Sequence, residues 1–231
     1  VPEFLDAVRQ AMHRGEVDLR QARLEGRDWP RYAQTMVGMY RLDNVQEAVE
    51  TVIAEGVPGH LIEAGVWRGG TTILMRAVLD VYGVDDRTVF VADSFRGLPP
   101  PNVEAYPDDA GDAHHSHELL AVSRADVERN FQMYGLLDDQ VEFLEGWFKE
   151  TLPTVCNRTW AVVRVDGDMY ESTMDTLVNL YPGLSTGGYC IIDDFWHEPC
   201  RQAVEDFRSA NGVDEPIEKI DWTGVYWRRR Q

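Results

Sequence analysis

The sequence is poor in cysteine. Its 231 residues include three, Cys156, Cys190 and Cys200, an odd number without CxxC spacing. Neither a disulfide framework nor a zinc knuckle is expected from them, and a reducing compartment is. Cys190 sits in an apolar run and reads as a small core residue. Long hydrophobic runs are missing too: no stretch approaches the roughly 20 apolar residues of a membrane span. The first residues also lack a basic segment followed by an apolar one. The expectation is a cytoplasmic protein with no membrane partner. Basic residues are few, 22 Lys and Arg against 40 Asp and Glu, for a net charge of -18. So acidic a chain repels phosphate backbones, which argues against nucleic acid as a partner.

With 44% hydrophobic residues the chain can bury the core of an α/β domain, and a single domain over residues 1–231 is expected. Residues 1–28 read as an N-terminal helical arm, with Phe4, Leu5, Val8 and Met12 at helical spacing before Gly26. Such an arm outside the core points to a homo-oligomer, most simply a dimer. A second helix is predicted over 43–54, where Val45, Ala48, Val49 and Val52 recur at i, i+3, i+4 and i+7. Beyond it, strands near 60–64, 88–92, 140–144, 160–165 and 187–192 alternate with helices near 70–82, 123–134, 170–181 and 198–210. That alternation is the pattern of a doubly wound α/β fold, a mostly parallel sheet with helices on both faces. Residues 217–220 and 225–227, joined through Thr223-Gly224, read as a C-terminal antiparallel hairpin. Residues 94–123 break the rhythm. They carry Leu98-Pro99-Pro100-Pro101, then Asp108, Asp109, Asp112, His114, His115 and His117. A βα connection usually takes about two to six residues, so this stretch reads as a lid insertion over a binding site. Its His/Asp cluster lacks any diagnostic metal-ligand spacing.

Two acidic clusters carry the chemistry. Asp166-Gly167-Asp168 and Asp193-Asp194 close the apolar stretches 160–165 and 188–192, about 27 residues apart. As buried strands, these stretches would deliver the carboxylates together to one edge of a parallel sheet, where open α/β sheets bind ligands. Asp166, Asp193 and Asp194 then offer hard oxygen ligands to a divalent cation, and Asp166 can serve as general base toward a metal-activated hydroxyl. Asp168 stays open as ligand, base or helix cap, and capping is also the plainer role for Asp193-Asp194. The first strand ends at Glu63, followed by Gly65, Gly69 and Gly70. Glu63 can accept a hydrogen bond from a cofactor amine, and Asp93, about 30 residues on, can take both hydroxyls of a ribose. The turn departs from GxGxxG: Trp67 stands where a dinucleotide pyrophosphate needs open backbone, and no Lys-Ser or Lys-Thr supplies a phosphate loop. NAD and ATP are thereby disfavoured. An adenosine cofactor without phosphate fits, and S-adenosylmethionine is the common one.

Six segments together resemble the macrocin O-methyltransferase family over roughly residues 29–229. They are Thr35-Met36-Val37-Gly38, Glu63-Ala64-Gly65-Val66-Trp67-Arg68-Gly69-Gly70, Val91-Ala92-Asp93-Ser94-Phe95, Tyr134-Gly135-Leu136-Leu137-Asp138-Asp139-Gln140-Val141, Glu145-Gly146-Trp147-Phe148 and Ile192-Asp193-Asp194. The resemblance implies a class I methyltransferase that uses S-adenosylmethionine and a divalent cation, usually Mg2+. It implies as acceptor a deoxysugar of a glycosylated antibiotic, an aminocoumarin in preference to a macrolide. Carried onto matching positions, it implies that Glu63 and Gly65 line the methionine side of the cofactor, Asp93 holds the ribose and Ser94 lies beside the adenine. Thr35 and Met36 would enclose the cofactor, and Trp147 and Phe148, after Gly146, would wall the adenine. The alternative for that aromatic pair is core packing at a strand end. Two other functions compete: a catechol or phenol O-methyltransferase of the same fold, and a non-catalytic nucleoside-binding protein.

Overall fold

The computed structural model describes residues 18–230, so Phe4, Leu5, Val8 and Met12 of the expected arm lie outside the described residues. The described part of the arm is α1 (Leu19–Glu25). Asp18 opens it by accepting the N–H groups of Arg20 and Gln21, and Gly26 closes it in the left-handed conformation. The second helix, α2 (Met39–Ala54), begins before its apolar repeat does, because its first turn buries a charge, Arg41, rather than an apolar side chain.

The alternation follows: β1 (His60–Ala64), α3 (Gly70–Val81), β2 (Val89–Asp93), α4 (Arg124–Met133), β3 (Val141–Glu145), the short α5 (Phe148–Thr151), β4 (Trp160–Val165), α6 (Tyr170–Leu180), β5 (Leu184–Ile192), α7 (Glu198–Asn211), β6 (Glu218–Lys219) and β7 (Val225–Arg228). The strands form one sheet in the order β3-β2-β1-β4-β5-β7-β6. The first five run parallel, and β7 pairs antiparallel with both β5 and β6. This is the expected α/β architecture with its terminal hairpin. β5 starts at Leu184 rather than near 187, because Gly187 and Gly188 interrupt the apolar pattern that marks the strand.

Side chains alternate between two cores. Leu61, Val89, Val162 and Ile191 pack with Val45, Val49 and Val52 of α2 and Met75 and Leu79 of α3. On the other face Ile62, Phe90, Val163 and Cys190 pack with Leu177 of α6, Val204 and Phe207 of α7, and Trp227. Helices on both faces leave β4 buried at every position, which is why its sequence reads as an unbroken apolar run. The run contains one exception, Arg164.

Register places the functional edge. Ala64 pairs with Ala92 and with Val165, and Val165 pairs with Ile192. The next residues, Asp93, Gly65, Asp166 and Asp193, therefore leave four neighbouring strands in one row. Strand order reverses between β1 and β4, so the row lies at the switch point where such sheets bind ligands. Gly65 has φ 92°, and a Cβ there would stand 1.7 Å from the Asp166 carbonyl oxygen. Only glycine lets the two strand ends close on each other.

The insertion over 94–123 contains three short 3-10 turns, Pro107–Asp109, His114–Ser116 and Glu118–Leu120, and is pinned to the body. Asp109 is fully buried. Its Oδ1 accepts from Tyr170 N at 2.6 Å and its Oδ2 from Glu171 N at 3.1 Å. The residue at the N-cap of α6 is Met169, whose side chain has no oxygen, so the lid supplies the helix cap. Trp67 Nε1 holds the far end by donating to Leu119 O at 2.8 Å. Among the described residues no helix is long and apolar enough to cross a membrane.

Asp109→Ala leaves two helix N–H groups without their acceptor and should lower stability by about 1–2 kcal/mol while making the lid more susceptible to limited proteolysis. Urea denaturation and a protease time course read the two effects; wild-type behaviour in both would contradict the capping role.

Candidate active site

All the positions expected at the site line one cavity of about 310 Å³: Thr35, Met36, Glu63, Gly65, Asp93, Ser94, Gly146, Trp147, Phe148, Asp166, Asp193 and Asp194. Its two halves differ in character. On the β1–β2–β3 side, Asp93 Oδ2 accepts the N–H groups of Val66 at 2.8 Å and Trp67 at 3.3 Å, while Oδ1 accepts that of Phe95 at 2.8 Å. Burial raises the Asp93 pKa and these donors oppose the rise. Of the roughly four lone-pair sites of a carboxylate, three thus take backbone N–H groups, and Ser94 Oγ stands 3.5 Å from Oδ1 at the fourth. Ser94 Oγ donates to Gly97 O at 2.6 Å and accepts from Arg96 N at 3.0 Å, so it also shapes the start of the lid. Thr35 and Met36 are held over the glycine-rich turn, where Gly70 N donates to Gln34 O at 2.9 Å. A Cβ at Gly70 would meet that same oxygen at 2.6 Å. Trp147 is the N-cap of α5. Phe148 lines the cavity and also packs against the core.

Glu63 is 1% exposed. Its Oε1 accepts from Arg164, and its Oε2 is buried with no hydrogen-bond partner among the described residues. Burial pushes the carboxyl up to about 8 against the pull of Arg164, with Asp166 and Asp193 adding to the rise.

In the other half, Asp166, Asp193 and Asp194 bring one oxygen each within 4.8 Å of the others. None of them caps a helix: α7 begins at Glu198 behind His197, and the cap of α6 comes from Asp109 rather than Asp168. Between the halves lies Arg164, fully buried, whose guanidinium bonds Glu63, Asp166 Oδ2 at 2.6 Å, and Asp193. A second buried cation, Arg41 of α2, bonds Asp193 and reaches Asp221 Oδ2 at 2.9 Å. Asp221 Oδ1 in turn accepts Thr223 N and Gly224 N in the hairpin turn, and Thr223 Oγ1 donates to Asp193 O at 2.9 Å. Arg164 was open to discovery as the single charge in a buried strand, since an arginine is almost never buried unpaired. Arg41 and Asp221 left no such trace.

Acid exceeds base here, with Glu63, Asp166, Asp168, Asp193, Asp194 and Asp221 set against two arginines. Burial and then the Asp193 charge push Asp166 up to about 6, against Arg164. Asp194 is driven well above the usual range by burial and by Asp168, Asp166 and Asp193. Carboxylates that raise one another's pKa in a dry site form the environment that a hard cation relieves, and their oxygens are its preferred donors. The lid cluster serves another end. His114 Nδ1 meets Asp112 Oδ2 at 2.7 Å, the His114 ring stands edge-on to His197 at 5.6 Å, and His197 Nδ1 bonds the Asp168 carbonyl at 3.0 Å. These rings close over Asp168, whose pKa burial raises and the two histidines lower. Among the described residues the lid histidines belong to no metal-ligand group.

Arg164→Met would leave buried Glu63 and half-buried Asp166 without their counter-charge and Asp193 with Arg41 alone, a loss of about 3–5 kcal/mol. Chemical denaturation of the variant checks this, with Arg164→Lys expected to fall between it and wild type because an ammonium cannot reproduce the fork. A methionine variant as stable as wild type would contradict it.

Comparison with known proteins identifies the family. The chain matches the family described as macrocin-O-methyltransferase (TylF) over residues 4–229. It is 55% identical over 215 residues to 8-demethyl-8-(2,3-dimethoxy-alpha-L-rhamnosyl)-tetracenomycin-C 4'-O-methyltransferase of Streptomyces olivaceus, covering 93% of this chain and 82% of the relative. It is 52% identical over 219 residues to demethyldecarbamoylnovobiocin O-methyltransferase of Streptomyces niveus, covering 94% and 84%. Among solved structures, the O-methyltransferase NovP superposes with a TM-score of 0.90 at 51% identity, over 94% of this chain and 90% of that one. The calicheamicin methyltransferase CalS11, at 20% identity with a TM-score of 0.67, shares the fold. With a family match spanning nearly all of its length, the chain belongs to the macrocin O-methyltransferase family and is an O-methyltransferase of the class I fold.

Proposed function

We propose that the enzyme transfers the methyl group of S-adenosylmethionine to a sugar hydroxyl of a glycosylated antibiotic, with a divalent cation such as Mg2+ held by Asp166, Asp193 and Asp194. Relatives named for tetracenomycin, novobiocin and mycinamicin acceptors stand at 55%, 52% and 50% identity. Such even identities favour a glycosylated antibiotic without separating an aminocoumarin from a macrolide. The observation that carries the reading is the orphaned Glu63 Oε2, an acceptor buried on a residue that lines the same cavity as the acidic triad. A buried acceptor without a donor is costly, and the ammonium of a methionine moiety would satisfy it.

When bound, S-adenosylmethionine supplies a methyl group on a sulfonium leaving group, and a divalent cation supplies Lewis acidity toward a hydroxyl. The chain does the rest. Asp93 lines the cavity, where its carboxylate would take a ribose hydroxyl in place of the long Ser94 contact, and Trp147 and Phe148 offer faces to the adenine. Asp166 Oδ2 is tied to Arg164, which leaves Oδ1 to take the acceptor proton. The row at the switch point holds both reactants at fixed separation, the condition for near-attack placement. The lid, clamped by Asp109 and by the His114–His197 contact, restricts water.

Labelled S-adenosylmethionine offered with a panel of glycosylated and phenolic acceptors should label the glycosides, stop on chelation and resume with Mg2+. Labelling that survives thorough metal removal would contradict the metal role, and labelling of phenols alone would contradict the sugar acceptor. Asp194→Ala should lower kcat at least about 100-fold while the cofactor Kd moves by less than about threefold. Glu63→Ala should do the reverse, raising the cofactor Kd about 10- to 100-fold. Calorimetric titration beside steady-state kinetics separates the two.

A further inference from the structure

The residues just past the acidic pair part company. In Asp194-Phe195-Trp196-His197, Phe195 packs against the core while Trp196 stands 67% exposed. Leaving an indole in water forgoes the burial that makes tryptophan favourable inside a protein. Trp196 leans edge-on against Trp222, with ring centroids 5.6 Å apart and planes at 63°. Trp222 is itself fixed: its Nε1 donates to Glu25 O at 2.7 Å, and the Arg27 guanidinium lies over its ring at 4.1 Å. Trp222 and Trp29 line the cavity, so this aromatic group continues the site outward.

We propose that the open face of Trp196, braced by Trp222, is a stacking platform for a planar aromatic aglycone of the acceptor; the inference rests on the sugar O-methyltransferase reading above. Space requires a surface of this kind. A cavity of about 310 Å³ lies at the lower end of the roughly 300–1,000 Å³ range of ligand sites, so a cofactor and the reacting sugar fill it and the aglycone leaves by the mouth. Position fits as well. Two residues of chain span at most about 7 Å, so the backbone that carries the platform lies within about one sugar ring's length of Asp194. Its chemistry selects the occupant: a flat indole face takes another flat ring by offset stacking. A second copy of the chain is the poorer occupant, since two molecules of net charge -18 repel and the neighbouring Glu198 side chain is 85% exposed.

The test compares kcat/KM for a phenyl and a methyl glycoside of the same sugar in wild type, Trp196→Ala and Trp196→Phe. Wild type should favour the phenyl glycoside by tenfold or more. Trp196→Ala should reduce that preference about tenfold through KM, about 1.4 kcal/mol, and Trp196→Phe should keep most of it. Equal losses on both glycosides, or none on either, overturn the platform while leaving the sugar reading intact. So does a cyclohexyl glycoside favoured as strongly as the phenyl one, or a Trp196→Ala protein whose oligomeric state changes at an unchanged preference. A wild-type enzyme that methylates neither glycoside overturns both readings.

Discussion

Arg164 holds together what the strands merely bring near. Its guanidinium, at the centre of the sheet and out of reach of water, bonds Glu63 at the end of β1, Asp166 past the end of β4 and Asp193 past the end of β5. Taking such a group out of water is expensive, and only several well-placed anions offset the cost. Those anions are the site itself. The carboxylate assigned to the cofactor and the carboxylates assigned to the metal thus share one counter-ion, and a charge entering either half is felt in the other.

Arg41 extends this centre outward. By joining Asp193 to Asp221 it ties the first turn of α2 and the hairpin turn to the acidic row. The lid attaches from the opposite side, through the helix cap at α6 and the imidazole contact over Asp168. Elements remote in sequence are therefore fastened to two strand ends, the lid to residues 168–171 after β4 and both α2 and the hairpin turn to Asp193 after β5. On the proposed function, stability and catalysis draw on the same side chains at these two ends, so most substitutions there will disturb both.

How far the sequence could be read depended on what each residue type can reveal. The bounds of β4 were legible because a strand covered on both faces is almost continuously apolar and stops at a charge, and the end of β1 because a glycine follows Ala64. Asp93, Gly65, Asp166 and Asp193 were legible because parallel strands in register end in a row, so a charge after an apolar run marks the rim. The start of β5 was hidden by Gly187 and Gly188, and the first turn of α2 by the buried Arg41. Asp109 could not be told from Asp108 or Asp112, since spacing does not show which of three lid acids meets a helix end. The pairing of Arg41 with Asp221 spans 180 residues and arises only when the chain is folded.

The approach of Gly65 to the Asp166 carbonyl, too tight for any Cβ, has a consequence for regiochemistry. Main chain, rather than side chains, sets the gap between the end of β1 and the end of β4. With donor and acceptor seated as proposed, that gap is a fixed ruler between methyl donor and acceptor oxygen, set by backbone rather than by any side chain. On the proposed sugar acceptor, the choice of hydroxyl then belongs to whatever turns the sugar before it reaches the row: the lid on one side and the tryptophans at the mouth on the other.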